Sequence, residues 1–258
     1  MRRVVFNQKG GVGKSTITCN LAAISAAEGN STLVIDLDVQ GNSTHYLLGQ
    51  KISSSERTLA EFFKESLSLN PFGAGQDNTI NYLVHESPYP NLYVLPSHPE
   101  MESLQSRLES RHKIYKLRDA LNQLNDYDYI FIDTPPVMNF YSLSALIAAQ
   151  SCLIPFDCDA FSRESLYTLL NVVGEVKMDH NGGLNVEGII VNQFQNRANL
   201  PQQLVDELVG EGQPVLNTKI SPSVRVRESH SANKPLIHFD PKHKLTDEYR
   251  ALHAELQS

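Results

Sequence analysis

Two lysines five residues apart frame the chemistry at the start of this chain. "QKGGVGKST" (8–16) sets Gly10, Gly11, Val12 and Gly13 between Lys9 and Lys14, with Ser15 and Thr16 following. Glycines let a backbone close on an anion without Cβ clashes, and N–H groups opening a helix attract phosphate. In such a loop Lys14 reaches the β- and γ-phosphates as a point charge, the Ser15 hydroxyl holds Mg2+, and Thr16 bonds the α-phosphate. The standard form, G-x-x-x-x-G-K-[ST], would place its first glycine at position 8, which here is Gln8. Lys9 is a cation that the standard loop lacks.

Phosphate and Mg2+ chemistry also needs carboxylates at the ends of neighbouring strands. "VIDLDVQGNST" (34–44) supplies Asp36 and Asp38, followed by a polar turn at Gly41 and Asn42; "FIDTPP" (131–136) supplies Asp133. Asp133 is expected to contact the ion through water, and Asp38 to do so while orienting the attacking water. Asp36 is equally well explained as a turn cap.

The elements that must position these residues are visible as alternating patterns. Strands are expected at 2–7, 32–38, 91–97, 128–136, 151–157 and 186–194, and helices at 14–29, 143–150, 163–178 and 244–257. Ile17, Leu21 and Ile24 share a helix face, and Gly29 ends that helix. Near-continuous Val/Ile/Leu strands separated by helices predict an α/β fold, a doubly wound, mostly parallel sheet with helices on both faces. The pattern is weakest over 50–127, where 104–126 reads as one long helix or two. No linker or repeat divides residues 1–258, so one domain is expected.

Composition narrows the class. A net charge of −7 argues against a surface that is basic throughout, without excluding a local basic patch. Cys19, Cys152 and Cys158 form no C-x-x-C pair, which predicts reduced cysteines in a cytoplasmic protein. No apolar stretch approaches the roughly 20 residues of a membrane span. The nine histidines form no metal-binding spacing and are read as surface or packing residues.

"KGGVGKST" resembles the deviant Walker A loop of the ParA/Soj/MinD superfamily, "DLDVQGNST" its first switch, and "IDTPP" its second. The C-terminal "SPSVRVRESHSANKPLIHFDPK" (221–242) is similar to the ParA/Soj pattern of V-R, then E, then K-P-[IL], then D-P-K. The resemblance spans essentially the whole chain, most weakly at 50–90. It implies an ATPase using ATP and Mg2+, in which two ATP-bound copies face each other and Lys9 crosses to the partner's phosphates. Such a cation supplied in trans stabilises charge as an arginine finger does. It also implies a nucleoid-associated homodimer on nonspecific double-stranded DNA, released when a ParB-like protein stimulates hydrolysis, in plasmid or chromosome partition.

By the same resemblance, Arg197 and Arg225 carry the DNA contact and Asn192 lies beside the base. From charge alone, Lys219, Arg225, Arg227 and Lys234 with only Glu228 among them read equally well as a basic strip for phosphate backbone or as solvated surface charges, and the resemblance favours the strip. Two departures stand out. Val39 replaces the usual proline, which predicts a looser switch turn. Arg227 replaces a small polar residue, which predicts stronger DNA contact. With the phosphate loop opening at residue 9, no N-terminal helix-turn-helix domain is expected. A relative that positions a protein cargo is the main alternative; a MinD-like membrane switch fits less well, because "LTDEYRALHAELQS" has mixed charges and a short apolar face.

Overall fold

Strands buried on both faces need apolar side chains pointing both ways, and alternation along each strand assigns them. The computed structural model describes residues 1–49, 57–68, 80–158, 162–195 and 199–258. Among these, β1 (Arg2–Val5), β2 (Thr32–Asp36), β3 (His85–Glu86), β4 (Leu92–Leu95), β5 (Tyr129–Asp133), β6 (Ser151–Asp157) and β7 (Asn185–Asn192) form one sheet. Its order is β3-β4-β2-β5-β1-β6-β7, and only the β3–β4 pair is antiparallel.

Val4, Leu33, Ile35, Ile130, Ile132 and Ile154 pack into one core, with Phe63, Phe140, Tyr141 and Leu166. Val5, Val34, Phe131 and Leu153, one position along, pack into the other with Ile17, Leu21, Tyr249 and Leu252. The second core lies under α1 (Lys14–Ala27) and the C-terminal α11 (Lys244–Glu255). Leu245, Tyr249 and Leu252 are buried at helical spacing, so α11 packs its apolar face onto the second core. Among the described residues, no helix is long and apolar enough to cross a membrane.

Most expected strands appear with shorter ends, whereas the helices expected at 143–150 and 163–178 span Phe140–Ala148 and Ser162–Asp179. The chain leaves the regular strand after Val5, although Phe6 N still donates to Leu153 O at 3.0 Å. Gly29, at φ 98°, takes the left-handed turn just past α1. The 104–126 region is split into α4 (Met101–Ser110) and α5 (Lys116–Leu121), because His112 adopts φ 52° between them. The turn at Gly41 and Asn42 proves to be the start of a helix, α2 (Asn42–Leu48). No side chain caps it locally; the Asp36 carboxylate reaches from β2 and accepts from Thr44 N at 2.7 Å and Thr44 Oγ1 at 2.8 Å. That long-range cap is why local sequence pattern did not reveal the helix.

Candidate nucleotide site

The C-terminal ends of β1, β2, β5 and β7 bring the predicted residues to one crevice. Gly13 is the first residue before α1, in the left-handed region at φ 91°, and no side chain caps the helix. The opening N–H groups of α1 are therefore directed at the loop's concavity, as phosphate binding requires. A Cβ at Gly13 would stand 2.4 Å from Asn192 Nδ2, so the position demands glycine twice over. Asn192 itself, at the end of β7, donates its side-chain amide to Val12 O at 2.9 Å and braces the loop from behind.

The two lysines point to different places. Lys14 is buried, and its Nζ donates to Lys9 O at 3.0 Å, closing the loop on itself. Burial lowers its pKa, opposed by the charges of Asp133 and Asp38. Lys9 is turned outward, its side chain 45% exposed, and its Nζ pairs with Asp157 at 3.0 Å on the end of β6. Lys9 N is held separately by Asn7 Oδ1 at 2.8 Å. One ammonium thus serves the loop's interior and the other its outer rim.

The three aspartates also divide. Asp38 accepts from Gln40 N at 3.0 Å, and its carbonyl accepts from Gly41 N at 2.9 Å and Ser97 Oγ at 2.6 Å. These bonds close the turn around Val39. Asp38 lines a pocket of about 330 Å3 with Gly10, Gly11, Gly13, Lys14, Ser15 and Thr16. Asp133 is fully buried and accepts from Ser43 Oγ at 2.7 Å and Thr134 N at 3.0 Å. Asp36, its register partner, is fully buried and spent on capping α2.

Burial pushes Asp133 up to about 6, while hydroxyls of Ser15 and Ser43 pull it back down. Burial also raises Asp36, with the Asp133 charge adding to the rise. A carboxyl raised in the folded state contributes stability that is complete below its unfolded value of 3.8 and lost as pH climbs through the folded one. Nucleotide-free protein should therefore lose on the order of 2 kcal/mol between about pH 4 and 6 through Asp133. Denaturant melts across this range should give a shallower fall for Asp133→Asn, which can still accept from Ser43. Parallel profiles would contradict the assignment.

Two hard oxygen donors, the Ser15 hydroxyl and the buried Asp133 carboxylate, face each other beside the loop, a donor set that suits Mg2+. The site fits that ion with water completing its shell. A second cleft of about 600 Å3 adjoins the loop, lined by Gly11, Thr16, Asn192, Ile220, Pro222 and Arg227 among others. Asn192 thus borders a cavity of nucleotide size while its amide nitrogen is committed to the loop.

The basic residues of the strip each make different contacts. Arg225, on the exposed side of α9 (Val224–Ser231), pairs with Glu228 at 2.7 Å and with Asp240 at 3.3 Å. Lys219 Nζ lies 4.5 Å from the Phe194 ring centroid, Lys234 is exposed, and Arg227 lies on the cleft wall. Arg197 lies outside the described residues. Ser43 and His230 were missed by sequence reasoning. His230 lines the smaller pocket through a contact with Thr16, 214 positions away, and no local spacing announces it.

A parallel sheet with a glycine loop at the open end of its first helix, and strand-end acids beside it, defines a phosphate-loop nucleoside triphosphatase. The AAA domain family model matches residues 3–186. The chromosome partitioning protein ParA of Myxococcus xanthus is 37% identical over 255 residues, 98% of this chain and 86% of that protein. The sporulation initiation inhibitor protein Soj of Bacillus subtilis is 31% identical, covering 98% of this chain and 96% of Soj. The chain belongs to the ParA/Soj family of partition ATPases. Cyanothece McdA without nucleotide superposes with a TM-score of 0.84 over 100% of this chain and 99% of McdA; at 22% identity this establishes the shared fold.

Proposed function

We propose that this protein is an ATP-driven two-molecule switch that binds DNA without reading its sequence and releases it when a ParB-like partner stimulates hydrolysis. The observation that carries this reading is the opposed direction of the two lysines. Lys14 turns inward to the phosphate pocket, and Lys9 turns outward at the rim, where a second copy can receive it. The Lys9–Asp157 pair is partly exposed, and such pairs contribute about 1 kcal/mol or less, so exchanging Asp157 for a partner's phosphates is inexpensive.

In this mechanism the N–H groups of α1 and Lys14 hold the triphosphate of ATP. Ser15, with Asp133 and Asp38 through water, would hold Mg2+, which would supply neutralisation of the phosphate charge. Asp38 accepts a hydrogen bond from the attacking water and aligns it. Lys9 of the facing copy stabilises charge on the transferred phosphoryl group. ATP therefore favours the pair and hydrolysis releases it.

The DNA contact rests on Arg225, Arg227, Lys219 and Lys234, and on Arg197 by the family resemblance, presented twice in the dimer. Arg225's partners are surface acids, which a DNA phosphate can replace at little cost. The test is a titration of nonspecific duplex with ATP, with ADP and without nucleotide, over a range of salt. Binding should require ATP and weaken steeply with salt. Arg225→Glu should bind at least about tenfold more weakly while still pairing with ATP. Binding that ignores the nucleotide, or an unaffected Arg225→Glu, would refute the DNA assignment.

A further inference from the structure

The phosphate loop is also held by a side chain from the far end of the chain that the hydrolysis scheme does not use. His230, on α9, sets Nε2 2.9 Å from Thr16 Oγ1. Its ring stacks on Tyr46 of α2 at 4.1 Å between centroids and 15° between planes. The next residue back, Ser229, exchanges a 2.9 Å hydrogen bond with Tyr46 Oη. The stack fixes the ring plane and the Ser229 bond fixes the backbone, so Nε2 is aimed rather than merely near. His230 lines the smaller pocket with Lys14, Ser15 and Thr16, and Arg227, three residues earlier on the helix, lines the larger cleft. One face of α9 is thus a wall of the nucleotide site.

We propose that His230 is a positioning residue for the nucleotide: its Nε2–H donates to Thr16 Oγ1 and so directs the Thr16 hydroxyl proton at the α-phosphate. This inference rests on the reading of the loop as an ATP site. A threonine hydroxyl has one proton and two acceptor lone pairs. With the imidazole donating into one lone pair, the proton is left for a phosphate oxygen, and the chain of two hydrogen bonds polarises both. Were Thr16 instead to donate to a bare Nε2, its proton would be spent on the ring and the nucleotide would have to displace it. Burial lowers the His230 pKa, which keeps the ring neutral, with a single N–H to place. The same contact ties the loop to the helix that carries Arg225 and Arg227.

The test compares ATP and ADP affinities of the parental chain, His230→Phe, His230→Gln, Thr16→Ala and the Thr16→Ala/His230→Phe double variant. Phe keeps a ring on Tyr46 and loses the nitrogen; Gln loses the ring and returns an amide N–H at similar reach. His230→Phe should weaken ATP and ADP by the same factor, about five- to tenfold, because both carry the α-phosphate. His230→Gln should recover to within about threefold of the parental value. Adding His230→Phe to Thr16→Ala should change nothing further, since the histidine acts through that hydroxyl. Unchanged or tighter binding by His230→Phe, no recovery by Gln, or full additivity with Thr16→Ala would overturn the proposal. A parental chain that binds neither nucleotide would overturn the ATP site itself, and this inference with it.

Discussion

Lys14→Ala is expected to lose ATP and ADP binding, by about a hundredfold or more. Lys14 is the cation buried within the phosphate pocket, and Asp133 and Asp38 stand close enough to act on its charge. Removing it deletes the charge-assisted contact to the phosphates and leaves those carboxylates to repel the incoming anion. Equilibrium dialysis or calorimetry with each nucleotide measures the loss. A thermal melt of the variant separates it from unfolding, since the truncated side chain touches the loop mainly through one bond to Lys9 O. ATP affinity at the parental level in a folded Lys14→Ala protein would exclude the loop as the nucleotide site.

Lys9→Ala should behave differently. ATP binding should stay within about threefold of the parental value, because the Lys9 carbonyl that receives Lys14 Nζ is backbone and survives the substitution. The partly exposed Asp157 left behind costs little stability. Hydrolysis should fall by about a hundredfold or more, the scale of a lost cation at a phosphoryl transition state. The ATP-dependent dimer should be lost or inactive. Single-turnover hydrolysis and light scattering with ATP check both. A Lys9→Ala chain that hydrolyses ATP at the parental rate would remove the trans role.

The sheet and the loop could be read from residues because their signals are local. Buried parallel strands are continuous apolar runs, so 32–36, 129–133 and 151–157 stand out, and a glycine loop between a strand and a helix carries its own spacing. What stayed hidden was set by contacts between distant positions. Ser43 reaches Asp133 across 90 positions, from a helix that Asp36 of β2 caps through Thr44. The resemblance places Asn192 beside the base, and no local pattern shows that its amide nitrogen also braces Val12. Counting charges between positions 219 and 234 showed one acid, yet Asp240 folds back onto Arg225. His230 was one of nine scattered histidines until the fold set it on Thr16.

The two-molecule switch stands or falls on specific ATPase activity measured against protein concentration, with the molar mass recorded at each point by light scattering. If Lys9 completes a partner's site, activity per chain must rise with concentration and level off as the ATP-bound mass reaches twice that of one chain. Constant activity per chain from a protein that remains monomeric with ATP would contradict the account.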